Sequence, residues 1–329
     1  ILQGVNTYVF KNPIEVMNNI ISVTEYIRSK IKATGVTAKR NVLHYQQTPG
    51  GEYYYIDEKG GFWRCSRFID DSMTFLIASP FVMEESGKAF GEFQKYLADY
   101  PVESLFIAIP HFHNTPMRFE TFKTAVKENA AGRADEVRGE IEEYLALEEK
   151  ATETYRLQRA GALPLRVTHN DTKCSNVLFD RKTQEHLSVI DLDTVMPGLV
   201  AFDFGDAIRA GANAAAEDER DLSLVALDLD KFEAFTRGFL SVDKNALTAA
   251  EIAKDKGIKV YTIGIGSNGS ALSPVGINYY GKLEYDYVKV TIDEQTLLRI
   301  HLDGSHTKRF TYLVSHLALV IVKRHLSSI

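Results

Sequence analysis

The stretch His169-Asn170-Asp171-Thr172-Lys173-Cys174-Ser175-Asn176, with Val189-Ile190-Asp191-Leu192-Asp193 about twenty positions beyond its Asp, decides how the whole chain is read. An Asp followed five positions later by an Asn matches the spacing of a kinase catalytic loop, where one acts as base and the other holds a metal. The apolar run before Asp191 reads as a buried strand ending in carboxylates, the place where a magnesium bridging nucleotide phosphates is held. Singly, each of these residues also fits a turn or a strand end. Jointly, an Asp, a Lys two positions on, an Asn after five and a strand-terminal Asp point to phosphoryl transfer.

The chemistry explains the residue types. A phosphoryl group in flight carries spread negative charge and needs positioning and counter-charge more than covalent help. On this reading Asp171 takes the acceptor proton and Lys173 offers a cation. Asn176 and Asp191 supply oxygens to Mg2+, with Asp193 as a further metal ligand or a support for Asp191. His169 braces the loop.

Around that centre, short apolar runs at 165–168, 177–179 and 187–192 read as strands, and helical patterning resumes at 203–211 and 222–240. Upstream, Val16, Ile20, Val23, Ile27 and Ile31 share one helical face over residues 12–32. Residues 53–56 and 62–69, separated by Glu58-Lys59-Gly60-Gly61, form a hairpin pattern. Helices follow at 84–97, 117–130 and, in one Glu-rich run, 134–160. The carboxylates of that run (Glu142, Glu143, Glu148, Glu149) read as a solvated face. The expected domains are residues 1–75, 76–247 and 248–329.

Bulk properties narrow the partners. The chain has 329 residues and a net charge of −6, with a pI near 5.9, so no general basic field attracts nucleic acid. Its two cysteines, Cys65 and Cys174, lack metal-site spacing. Without an apolar run of membrane-spanning length or an export signal, a soluble, cytoplasmic protein is expected. Asp70-Asp71-Ser72-Met73-Thr74 approximates a metal motif but follows the hairpin without the buried strand that motif needs. Gly264-Ile265-Gly266-Ser267-Asn268-Gly269 approximates a dinucleotide fingerprint, but Pro274 and Gly276 deny it the helix it requires.

Residues 1–253 resemble the aminoglycoside phosphotransferase and choline kinase superfamily, most closely its N-acetylhexosamine 1-kinase branch. The resemblance rests on Val167-Thr-His-Asn-Asp-Thr-Lys173, Asn176-Val-Leu-Phe-Asp180, Val189-Ile-Asp-Leu-Asp-Thr-Val-Met-Pro-Gly198 and Asp203-Phe-Gly-Asp-Ala-Ile-Arg209. Gly87-Lys-Ala-Phe-Gly91 and Pro110-His-Phe-His-Asn-Thr115 point to the sugar branch. It implies an α+β, bilobal protein-kinase-like fold that uses ATP and Mg2+ to phosphorylate the anomeric hydroxyl of an N-acetylhexosamine. It further implies that Asp203 holds the catalytic loop and that Thr172, Thr194 and Arg209 contact the sugar. Against the family pattern the N-lobe is expected to be truncated: Gly4 stands where a phosphate-binding arginine often is, and Glu15 or Glu25 could be the acid pairing such a cation. From Thr248 to about His301 the chain resembles the last part of a von Willebrand factor A domain of the BatA type, an α/β segment. Two alternatives stay open: a non-catalytic interaction module, and a kinase for another small alcohol such as an aminoglycoside, choline or homoserine.

Overall fold

The chain opens with a strand, β1 (Leu2–Val5), and a 21-residue helix, α1 (Pro13–Ala33), in a computed structural model that describes residues 1–215, 224–242, 269–277 and 283–290. Pro13 starts α1 where its missing N–H costs nothing. The ladder Val16, Ile20, Val23, Ile27 and Ile31 is buried as one stripe. Burying each such side chain is worth about 1.5–3 kcal/mol, so this stripe fixes the helix's orientation far more firmly than helix propensity does.

The expected hairpin forms as β2 (Tyr55–Ile56) and β3 (Phe62–Cys65), which pair antiparallel. Asp57 closes the turn by accepting N–H bonds from Lys59 and Gly61 at 2.8 Å and from the Trp63 indole at 2.7 Å. β1 adds to the other edge of β3, giving the order β1-β3-β2. One face of β3 buries Phe62 and Arg64.

After β4 (Ser72–Met73), Ser79 caps α2 (Pro80–Tyr96) by accepting the Val82 N–H at 3.3 Å. This helix serves two cores. Phe93 at its end, with Leu97 just beyond, joins the α1 stripe, whereas Val82, Met83, Ala89 and Phe90 pack in a second cluster with Phe179, Phe204, Ile208 and Phe235. Next come α3 (Thr115–Glu128), α4 (Arg138–Ala146) and α5 (Glu148–Arg159). The single helix expected over 134–160 is therefore two. They meet at Leu147, and the break folds the chain so that Tyr144, Ala151 and Phe119 share a small core.

The half that carries the 169–176 loop is built from β5 (Arg166–Thr168), β6 (Val177–Asp180), β7 (His186–Val189), β8 (Met196–Gly198) and α6 (Val200–Gly211). β4, β6 and β7 form one antiparallel sheet, and β5 pairs with β8. The strand expected over 187–192 stops at Val189, because Asp191 turns left-handed at φ 60°. In the Asp70–Thr74 run, Ser72 and Met73 pair with Asp180 and Phe179, so the segment completes a sheet.

The helix expected over 222–240 is α7 (Leu229–Val242) among the described residues, with residues 224–228 outside it. It crosses α2 at backbone contact. A Cβ on Gly87 would lie 2.2 Å from the Phe235 carbonyl oxygen, and one on Gly238 would lie 2.0 Å from that of Glu84. No side chain fits there. Finally β9 (Gly269–Ile277) pairs antiparallel with β10 (Leu283–Val290). A strand thus begins at Gly269, where the dinucleotide fingerprint would need a helix. The rest of the von Willebrand-like stretch lies outside the described residues.

Candidate active site

The loop between β5 and β6 carries its polar groups around one buried carboxylate. Asp203, in the first turn of α6, is 1% exposed and accepts the backbone N–H groups of His169 at 2.9 Å and Asn170 at 2.8 Å, and the Gln94 amide at 3.0 Å. Burial pushes its pKa up to about 6, against the pull of those donors, which leaves it ionised and accepting at neutral pH. Asn170 is left-handed at φ 66°, a conformation Asn tolerates, and its amide donates to the Thr194 carbonyl at 2.9 Å. His169 is fully buried. Its Nδ1 faces the Asp171 N–H at 3.3 Å and its Nε2 the Ile190 carbonyl at 2.8 Å, so the proton on Nε2 satisfies both, and its ring packs edge-on to Phe90.

This scaffold projects the Asp171 carboxylate outward. Its Oδ2 meets Lys173 Nζ at 2.9 Å and Asn176 Nδ2 at 2.9 Å, and the same Asn176 amide also binds the Asp171 carbonyl at 2.9 Å. The three candidates therefore form one cluster. With its amide nitrogen so used, Asn176 presents its Oδ1 as the free donor atom for a cation.

The β6–β7 hairpin brings Asp191 alongside. Asp180 caps the turn through the Lys182 N–H at 2.8 Å and the Thr183 N–H at 3.1 Å, and the Ile190 N–H donates to the Asn176 carbonyl at 2.9 Å. Asp191 is exposed by surface area. Even so, desolvation by its surroundings, then the negative charges of Asp193 and Asp171, raise its pKa above the usual carboxylate value. A divalent cation would relieve that repulsion. Asn176 Oδ1 and Asp191 suit Mg2+, which takes one or two protein oxygens and fills its shell with water and phosphate. Among the described residues no group of three or more His, Cys, Asp or Glu is arranged for a metal.

Asp193, expected as a further metal ligand or a support for Asp191, is paired with a cation. Both of its oxygens face Arg64 of β3, one of them 3.1 Å from Nη2, so it is neutralised within the protein. The three expected sugar contacts are tied into the scaffold as well. Thr172 is 1% exposed, its hydroxyl donates to the Asp203 carbonyl, and its N–H donates to Asp206 at 2.9 Å. Thr194 donates to the His169 carbonyl at 2.7 Å. Arg209 holds Asp206 through Nε at 2.9 Å and Nη2 at 2.6 Å. All three polar groups point into the loop's own support. Glu15 and Glu25 are exposed on α1, Glu25 against Arg28 at 3.1 Å.

Sequence reasoning gives no role to Arg64, Asp206, Gln94 or Asn170, all partners across large gaps in sequence or braces of backbone. One motif does border the site. His113 Nε2 lies 3.4 Å from the Asn170 carbonyl, and its ring sits 4.7 Å from Phe112 and 5.1 Å from Phe202. Asn114 caps α3 through the Met117 N–H at 3.0 Å.

Residues 77–236 match the phosphotransferase enzyme family, and the match spans the whole loop, the Asp191 turn and Asp203. Among solved structures, the chain is similar to an aminoglycoside phosphotransferase from Alicyclobacillus acidocaldarius, with 12% identity, 77% of this chain and 71% of that one covered, and a TM-score of 0.46. It is also similar to a spectinomycin phosphotransferase solved with ADP and spectinomycin (13% identity, 77% and 71% covered, TM-score 0.41). A third similar structure is an ethanolamine kinase of Plasmodium vivax (15% identity, 71% and 61% covered, TM-score 0.38). Among the described residues no helix is long and apolar enough to cross a membrane.

Proposed function

We propose that this chain transfers the terminal phosphoryl group of ATP to an alcohol of a small molecule, with Asp171 as the base. The observation that carries the reading is the Asp171–Lys173–Asn176 cluster, set by hydrogen bonds on a loop whose backbone is gripped by buried Asp203. Such a cluster is suited to orient a hydroxyl and accept its proton while holding a cation within reach of the phosphate. The family match over residues 77–236 supports the same reaction class.

In this scheme the acceptor hydroxyl donates to Asp171, whose Oδ1 is left to the substrate because Lys173 and Asn176 both engage Oδ2. The proton passes to that carboxylate as the new O–P bond forms and the bond from the γ-phosphorus to the β–γ bridging oxygen breaks, with ADP as the leaving group. Lys173 starts paired with Asp171 and can turn toward the phosphate oxygens, since its side chain is 40% exposed. Asn176 Oδ1 and Asp191 would hold Mg2+, which supplies positive charge to the phosphates when bound.

For the acceptor we infer the anomeric hydroxyl of an N-acetylhexosamine. The support is the 110–115 segment, whose resemblance is to the sugar branch and whose His113 lies against the Asn170 carbonyl, one residue from the base. Gly87 and Gly91 lend no support to that choice, because they serve the α2–α7 crossing. A panel of N-acetylglucosamine, N-acetylgalactosamine, an aminoglycoside, choline, ethanolamine and homoserine, assayed for ADP release with magnesium, tests the choice. Turnover with a hexosamine, and a phosphate proved anomeric by phosphorus NMR, is the expected result. Turnover with an amino alcohol alone would reject the sugar and keep the phosphotransferase.

A further inference from the structure

Arg64 lies in the middle of β3 with its side chain 5% exposed, far from the loop in sequence but against it in space. Its donors are all directed. Nη1 and Nη2 grip the two oxygens of Asp193, Nε reaches Gln3 Oε1 of β1 at 3.3 Å, and the guanidinium lies 5.7 Å from the Tyr45 ring centroid. Nη1 also approaches Met17 Sδ of α1 at 3.9 Å. One cation thus joins the N-terminal sheet, α1 and the turn that carries Asp191.

A buried ion pair is a poor device for stability alone, since desolvation offsets most of the attraction. Its position suggests another use. Asp191 and Asp193 stand two positions apart on one tight turn, and a divalent cation approaching that turn would find two carboxylates able to compete for it. With Arg64 in place Asp193 is paired, whereas Asp191 makes no ion pair among the described residues, and it is the one tied to Asn176 through the Ile190 N–H.

We propose that Arg64 is a positioning residue that neutralises Asp193 and so reserves the divalent cation for Asn176 and Asp191. Arg64 touches neither nucleotide nor acceptor in this scheme. The use made of the cation rests on the phosphotransferase reading, but the placement does not.

The test is Mn2+ binding to the nucleotide-free full chain, followed by the loss of its free-ion paramagnetic resonance signal. Removing a positive charge beside the site and releasing a second carboxylate should tighten Mn2+ about three- to tenfold in Arg64→Met. Asp193→Asn, which leaves Arg64 uncompensated, should weaken it by a similar factor, and the double variant should return to wild type. Arg64→Lys keeps the charge and should bind as wild type does, so that this variant and Asp193→Asn decide the matter if Arg64→Met fails to fold.

Turnover should move against affinity. In Arg64→Met, kcat should fall although the metal binds more tightly, which a merely structural role would not produce. Equal Mn2+ affinity in all variants, or weaker binding in Arg64→Met, would overturn the proposal. Absence of ATP turnover in the wild type would instead count against the phosphotransferase reading, with the order of Mn2+ affinities still deciding the role of Arg64.

Discussion

The two halves of the candidate site are anchored by buried charge in opposite ways. The loop at 169–176 hangs on an anion, Asp203, whose partners are neutral N–H donors. The turn at 191–194 hangs on a cation, Arg64, whose partner is another full charge. The first arrangement shapes backbone, because each donor it satisfies belongs to a residue of the loop or to the helix beneath. The second sets charge, because it decides which carboxylate faces a cation unpaired. Loss of the first should therefore distort geometry, and loss of the second should redistribute metal affinity with the loop intact.

The largest expected effect breaks the first anchor. Asp203→Ala leaves the His169 and Asn170 N–H groups buried without an acceptor and takes from the Gln94 amide one of its two, the Val167 carbonyl remaining at 2.9 Å. Each such group costs about 1–3 kcal/mol, so a loss of about 3 kcal/mol or more should appear in denaturant unfolding, together with near-abolished turnover. Asp203→Asn, which keeps one acceptor oxygen, should lose less stability and still fall well below wild-type turnover.

Acid should act on the same anchor reversibly. Asp203 is held at about 6, above its unfolded value of about 3.9. Between those values the native state binds the extra proton, so this group's contribution to stability rises as pH falls from 6 to 4. Its acceptor role is lost over the same range. Turnover should consequently drop about tenfold per pH unit below about 6 while the chain stays folded. Carboxylates held low by their partners, such as Glu85 and Asp180, contribute stability above their ordinary values and lose it only as pH falls through their depressed ones, for Asp180 at about 2. A pH–rate profile set beside a melting profile reads both signs.

The smallest effect separates scaffold from substrate contact. Arg209→Met should release Asp206 and loosen Thr172, lowering kcat a few-fold and leaving the acceptor KM unchanged. A raised KM with unchanged kcat would return Arg209 to the acceptor pocket.

How much of the fold and site is legible in the sequence depends on distance along the chain. The α1 stripe and the β2–β3 hairpin follow from local period and turn chemistry, which the chain states outright. Asp171, Lys173 and Asn176 are readable because one loop sets their spacing. The Arg64–Asp193 pair is not, because the two meet only after the sheet folds over the turn, across 129 positions of sequence. Thr172, Thr194 and Arg209 can be placed beside the loop but not oriented. A polar residue near a base reads the same whether it faces substrate or braces backbone, and only hydrogen-bond direction distinguishes the two. The break at Leu147 escapes for a similar reason: nothing in the Glu-rich run signals a stop, and the separation is enforced by packing of Tyr144 and Ala151 against Phe119.

The most direct test of phosphoryl transfer at Asp171 compares wild type with Asp171→Asn, using radiolabelled ATP, magnesium and the acceptor panel at neutral pH. A base at Asp171 predicts a labelled alcohol phosphate from the wild type and about a hundred- to ten-thousandfold less from the variant, at unchanged folding. Undiminished product from Asp171→Asn, or none from the wild type with any alcohol, would contradict it.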